Sequence, residues 1–378
     1  MNTYTKMIAL ALIVFSPLIS FAEEPLVVHE WGTFTTKHSA DGKAMGGLNV
    51  IEETEVVPEF VHRIKDDVLR EPREPIRAFE FNKGPPPTTV AHPDVTMRLE
   101  TPVMYFYPSP SFDKMKPITV SAEFRGGLLN EFYPDATVSY EGIRFQQQKG
   151  AARAEKTSLT EHAISKLEWI NLSLGGPWVG PETGAIQWLA PRKVGAADIR
   201  AHNGESERYL FYRGVAHLNS PLRTKHDLAT KHVTLLNPEP GDLPSLNKKA
   251  FSTPFAWLIQ IKGDKSLAFK ELGSLPPPVD QKEIITETAV DFPKEAYNIE
   301  NLQHLRSSMQ RVLTENGLFA DEAEAMLNTW QHAYFQKEGA RIMFIVPKEW
   351  VDDHLPLTFS VPAKVVRVFI GRIDLGGI

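Results

Sequence analysis

The sequence predicts an α+β protein: mainly antiparallel β, in sandwich-like sheets, with a C-terminal helical hairpin followed by further strands. Three observations carry this expectation. From residue 26 to about 272, alternating β-branched and aromatic residues are broken by Gly, Pro and Asp, which is strand punctuation. Apolar residues then recur at helical spacing between 301 and 336. Strand signals return from Arg341 onward.

Taken in order, the first element is a leader. Lys6 precedes an apolar run from Met7 to Phe15, and Ser20-Phe21-Ala22 supplies a small-x-small end. This is the pattern of a secretory signal peptide cleaved near Ala22, and the run is short for a membrane span of about 20 residues. The expectation is a mature chain delivered to the periplasm or the cell exterior, with no later transmembrane segment. Strands are predicted at Val27–Thr35, Thr96–Tyr107, Ile118–Phe124, Thr137–Phe145, Leu167–Leu174, Arg208–Val215 and His232–Leu236. Phe255–Ile261 and Ser266–Leu272 flank Lys262-Gly263-Asp264-Lys265, a hairpin turn. The interval Glu71–Pro93, with Gly84-Pro85-Pro86-Pro87, reads as an extended surface loop.

Pro276-Pro277-Pro278 divides a β-rich region, 23–275, from a segment at 276–378. The alternative is one domain, with the last strands returning to the first sheets. Leu302, Leu305, Met309 and Val312 predict a helix over Asn301–Asn316, stopped by Gly317. Met326, Leu327, Trp330 and Ala333 predict a second helix over Asp321–Gln336. A short connection makes the pair an antiparallel hairpin. A helical turn at Pro347–His354, with Pro at its first position, separates strands at Arg341–Val346, Leu357–Val361 and Lys364–Ile373.

Composition removes several chemistries. There is no cysteine, hence no disulfide, thiol nucleophile or cysteine-type zinc or iron–sulfur site. A formal net charge of −6 leaves no electrostatic footprint for nucleic acid. No phosphate-cradling glycine loop, dinucleotide fingerprint, nucleophile elbow or EF-hand loop occurs, so no cofactor is indicated by motif. Two S-x-x-K matches, Ser111–Lys114 and Ser245–Lys248, lack the accompanying S-D-N and K-T-G motifs.

Side-chain types nominate a few candidates. In Val27–Thr36 an undistorted strand sends His29, Trp31, Thr33 and Thr35 to one face and Glu30 and Phe34 to the other. His29 and Glu30 therefore do not form one metal site, but His29 and Trp31 can line a surface. Gly32 between them permits a bulge or a close approach. Arg98 and Glu100 share a face and can present a fixed guanidinium and carboxylate. Glu131, beside aromatic residues, is a second carboxylate. Glu100 with Glu131 is the pair type used in glycoside hydrolysis, and the alternative for both is an ordinary ion pair. Tyr209 and Arg213 lie on one face of an aromatic strand, suited either to a sugar or carboxylate ligand or to a core whose arginine holds an internal acid. His217, His226, Asp227 and His232 are the densest set of metal-ligand types, without a recognisable ligand spacing.

Four segments together carry a resemblance: His29-Glu30-Trp31-Gly32-Thr33-Phe34, the run Arg98 to Tyr107, Leu210 to Gly214, and Val366 to Arg372. They resemble a group of uncharacterised exported bacterial proteins that open with an HEWGTF-type strand. The resemblance covers most of the mature chain. It implies one exported module and brings no catalytic residues with it. The functional expectation is an exported β-rich binding or envelope-associated protein, with a carbohydrate or a cell-envelope component as partner. The alternatives are an extracytoplasmic glycan or peptide hydrolase using Glu100 and Glu131, and a metalloprotein using the histidines from 217 to 232.

Overall fold

The first strand, rich in β-branched and aromatic residues, takes the centre of the largest sheet. In this computed structural model residues 26–49, 57–64, 91–113, 116–143, 159–237, 251–277 and 284–376 are described. The leader at 1–22, the loop at 71–90 and Ser245–Lys248 lie outside the described residues. In chain order the strands are β1 (Leu26–His38), β2 (His62–Arg63), β3 (Met97–Tyr107), β4 (Ile118–Arg125), β5 (Gly127–Tyr133) and β6 (Thr137–Glu141). They continue as β7 (Ile164–Leu174), β8 (Ile199–Arg200), β9 (Ser206–Glu207), β10 (Leu210–Ala216), β11 (Arg223–Asp227) and β12 (His232–Leu236). The last are β13 (Thr253–Ile261), β14 (Leu267–Leu275), β15 (Ile284–Ala289), β16 (Gly339–Ile345), β17 (Leu357–Phe359) and β18 (Ala363–Leu375). The helices are α1 (Ile186–Leu189), α2 (Asn301–Glu315), α3 (Ala320–Thr329), α4 (Gln331–Phe335) and α5 (Lys348–His354).

The class is the expected one, mainly antiparallel β with helices toward the C-terminus. A nine-stranded sheet runs β14-β13-β16-β18-β1-β3-β10-β5-β2. A second sheet joins β17, β4, β7, β8 and β9, with β6 on β7, and a third joins β11, β12 and β15. One pair in the large sheet departs from the antiparallel rule: β1 and β18 run parallel in unbroken register from Leu26↔Ala363 to His38↔Leu375. Strands from both sides of residue 276 thus share one sheet, since β13 pairs with β16 and β1 with β18.

Side-chain alternation makes the large sheet the middle of three layers. On one face Val28, Phe34, Leu99 and Phe369 pack against the smaller sheets through Val120, Trp169 and Val233, and against Trp350 of α5. On the other face Trp31, Tyr105, Trp257 and Ile370 pack against α2, α3 and α4 through Met309, Met326 and Tyr334. This second side is the helix side.

Three described strands of five or more residues went unsignalled: β5, β11 and β15. β5 is buried at six of its seven positions, which removes the apolar-polar alternation that marks a one-sided strand. β11 (RTKHD) and β15 (IITETA) are polar at alternate positions or more. The expected helix Asp321–Gln336 is divided at Trp330, whose backbone (φ −99, ψ 15) leaves the helical region between α3 and α4. Pro347 precedes α5 as its N-cap residue instead of occupying the first turn.

Two local features aim the site. Gly32 lies where the β1–β3 register shifts, and a Cβ there would sit 2.8 Å from the Phe369 ring and 3.1 Å from Pro102 Cα. Opposite it, Thr101 adopts a left-handed φ of 44°, uncommon for a β-branched residue. The extra β3 residue reverses its parity. Before the bulge the even positions, Arg98 and Glu100, face the helix side; after it the odd positions, Val103 and Tyr105, do so.

Candidate functional site

The helix side of β1 changes character along its length. At its start, His29 Nδ1 donates to Glu322 Oε2 of α3 at 2.8 Å. The same carboxylate accepts the Tyr107 hydroxyl at 2.7 Å and the Phe319 backbone N–H at 2.7 Å. The Phe319 and Tyr107 rings flank the imidazole at 4.5 and 5.2 Å. Burial, with Glu322 beside it, pushes the Tyr107 hydroxyl far above its ordinary range, so it remains a donor. One residue pair further, Trp31 is fully buried beside Tyr105. His29 and Trp31 therefore face the inside of the helical layer, where Glu322 ties α3 to the sheet.

Beyond Trp31 the face becomes polar. Thr33 shares a 2.5 Å hydrogen bond with the Tyr334 hydroxyl of α4. Thr35 is paired with Arg98 on β3 and with Arg372 on β18. Arg372 donates Nε and a terminal nitrogen to Asp374 at 3.2 and 3.0 Å. Arg341 of β16 lies 3.6 Å from the same carboxylate and donates to the carbonyls of Ala333 (2.6 Å) and Lys337 (2.5 Å) at the end of α4. Burial alone would raise the Asp374 pKa, but the two guanidinium groups hold it down, at about 2. Arg98 is clasped to Glu100, and both are buried.

These groups wall a cavity of about 330 Å³. Thr35, Arg98, Arg341, Arg372 and Asp374 line its sheet side, and Lys37 lies at its margin. Lys337 and Glu338, from the segment between α4 and β16, complete the charged lining. The Thr35 hydroxyl is buried and has no hydrogen-bond partner among the described residues. Glu100 Oε2, behind Arg98, is in the same condition. Such a site can hold a small polar molecule through charge-assisted hydrogen bonds.

The other sequence candidates are distributed elsewhere. Glu131 of β5 accepts from Arg213 of β10 at 3.2 Å and from Arg63 of β2 at 3.1 Å. Glu100 and Glu131 are thus held by different arginines on strands separated by β10. Tyr209 is a buried core residue whose hydroxyl donates to the Trp188 carbonyl at 2.9 Å. His217 contacts the Asp94 carbonyl at 2.7 Å, and His226 the Gly376 carbonyl at 2.8 Å. His232 contacts the Thr230 carbonyl at 2.8 Å, and Asp227 accepts the Ala229 N–H in the turn between β11 and β12. Among the described residues no group of three or more His, Asp or Glu is arranged to hold a metal ion.

Of the sequence candidates, Arg98 lines the cavity and Glu100 pairs with it. Lys37, Arg341 and Arg372 were not singled out. Their signal is faint: Arg341 and Arg372 are charges embedded in apolar strand runs (ARIMFI and VFIGRI), where a buried charge needs a partner.

No family model matches the chain, and no curated protein matches it. Among solved structures, the chain is similar to that of the Fcho1 Mu homology domain of Danio rerio with bound Eps15 peptide. Identity is 7%, the match covers 94% of this chain and 96% of that one, and the TM-score is 0.31. That degree of overlap carries no functional argument.

Proposed function

We propose that the protein is an exported β-rich binding protein whose ligand, a saccharide or another small component of the cell envelope, occupies the cavity between β1, β3, β18 and β16. The observation that supports this reading is the cavity itself: three buried arginines from three strands converge on one space of about 330 Å³. Pockets that orient small ligands are of this size and combine a few fixed polar groups with a rigid frame. The leader-like sequence at 1–22 supports export.

Binding is favoured over glycoside hydrolysis by the partners of the two carboxylates. Hydrolysis requires two carboxyl groups flanking one bond. Glu100 and Glu131 are ion-paired to different arginines on β3 and β5, strands separated by β10, and neither of the two lines the cavity.

The test has two parts. Full-length chain expressed in a bacterial host is expected in the periplasmic fraction, beginning near Glu23; an unprocessed cytoplasmic chain would overturn export. Titration calorimetry with envelope-derived saccharides is expected to show saturable binding without product formation. Steady turnover of any of them would replace the binding reading with an enzymatic one.

A further inference from the structure

Asparagine followed by glycine occurs twice in the chain, at Asn203-Gly204 and Asn316-Gly317. We propose that Asn203 is a site of spontaneous covalent modification, cyclising onto the Gly204 nitrogen and reopening as aspartate or isoaspartate, and that the fold protects Asn316 from the same reaction. In the first step the Gly204 nitrogen attacks Asn203 Cγ. The N–Cγ bond forms, the Gly204 N–H proton is lost to solvent, and the Cγ–Nδ2 bond breaks. Nδ2 takes up a proton and leaves as ammonia. Water then adds to one carbonyl of the five-membered imide. Opening on one side gives aspartate, and on the other isoaspartate, in which the main chain runs through Cγ. Water is the one co-reactant, and nothing is oxidised or reduced. Glycine leaves the attacking nitrogen unshielded, because it carries no Cβ.

The surroundings of Asn203 favour this step. Asn203 and Gly204 are exposed in the turn that joins β8 to β9. The turn is closed by the Gly204 N–H on the Ala201 carbonyl at 3.0 Å and the Ala201 N–H on the Glu205 carbonyl at 2.8 Å. Inside it, Asn203 Oδ1 accepts the Glu205 N–H at 3.0 Å, an Asx turn. Two consequences follow from that bond. The ring it closes contains both Cγ and the Gly204 nitrogen, so the reacting atoms are held on one side of the backbone. The Glu205 N–H also points at the oxygen on which negative charge develops as the nitrogen adds, which is the role of an oxyanion donor. The bond from Gly204 to Ala201 must open first, and an exposed turn opens at small cost.

Asn316 is held differently. It follows the last residue of α2, and its Nδ2 donates to the Val312 carbonyl at 2.8 Å. The Gly317 N–H donates to the Thr314 carbonyl at 3.0 Å, and Leu318 beyond it is buried. The leaving nitrogen and the attacking nitrogen are thus both tied to the end of the helix, and cyclisation requires that end to unwind. At Asn203 the product carries a new carboxylate two residues from Glu205. The Glu205 carboxylate accepts from His62 at 2.9 Å and from the Asp135 N–H at 2.7 Å, so the modified turn borders an ion pair that reaches β2.

The second Asn-Gly pair is an internal control. The purified protein is incubated under mildly alkaline conditions, folded and in urea, and both sites are followed by peptide mapping with mass spectrometry. In the folded protein Asn203 is expected to convert at least about tenfold faster than Asn316, a barrier difference of the order of one hydrogen bond. In urea the two should convert at similar rates, because both then offer the same dipeptide. Asn203→Gln lengthens the ring that must form, and should remove the acidic species that accumulates on isoelectric focusing. An Asn203 that stays intact in the folded protein would overturn the inference. So would an Asn316 that converts as fast as Asn203 in the folded state, or an Asn203→Gln variant that accumulates the acidic species unchanged.

Discussion

Arg367 and Glu30 form a buried pair on the sandwich side of the large sheet, opposite the cavity. Glu30 accepts Arg367 Nε at 2.6 Å and the Tyr212 hydroxyl, and Arg367 reaches Asp352 of α5 at 3.1 Å. Burial raises the Glu30 pKa, opposed by Arg367 and Tyr212. Stripping Arg367 leaves Glu30 in the core without its counter-ion. Arg367→Met is expected to cost about 3–5 kcal/mol, and adding Glu30→Gln should recover a substantial part of it. Urea denaturation of both variants checks this; a double variant no more stable than the single would refute the coupling.

A second residue-scale expectation concerns acid. Burial, followed by the Arg223 and His226 charges, holds the His38 pKa at about 4, below its ordinary 6.5. The folded chain therefore refuses a proton that the unfolded chain binds between those values. The His38 contribution is complete above about pH 6.5 and declines as pH falls toward 4, by about 3 kcal/mol in total. His38→Gln should flatten the pH dependence of the urea midpoint across that window. An unchanged slope would show that His38 does not control it.

At the scale of the element, β1 depends on Gly32. The Phe369 ring and the Pro102 backbone close over the space a side chain would need. Gly32→Ala is expected to destabilise by about 1–3 kcal/mol through forced displacement of both neighbours. A thermal midpoint within error of the parent would disprove the close approach. The parity change of β3 at Thr101 is the companion feature. It lets one strand put Arg98 and Glu100 on the cavity side and, further along, Val103 and Tyr105 under the helices. Alternation read from sequence paired Arg98 with Glu100 and separated His29 from Glu30, because period 2 is a local property. Gly32 signalled a bulge or close approach on β1, but nothing local placed the extra residue on β3 at Thr101, where the registers to both β1 and β10 shift.

For the whole molecule, the nine-stranded sheet spans the expected linker. β18 is the parallel neighbour of β1, and β16 pairs with both β13 and β18. Neither 23–275 nor 276–378 keeps its central pairings without the other. Denaturation of the protein is therefore expected as a single cooperative transition, coincident by tryptophan fluorescence and far-ultraviolet circular dichroism. Two separated transitions would show that the halves fold independently.

Composition and periodicity were sufficient for the α+β class, the helical region, most of the long strands and the exclusion of cysteine chemistry. Those properties depend on residue types and on spacings of two to four positions, which the chain carries locally. The site depends on something else. Thr35, Arg98, Arg341 and Arg372 are separated by up to 337 residues and meet because β1, β3, β16 and β18 pair in a particular register. Strand order and register follow from long-range burial summed over the sheet, so the charged cavity exists only once the last strand has joined the first.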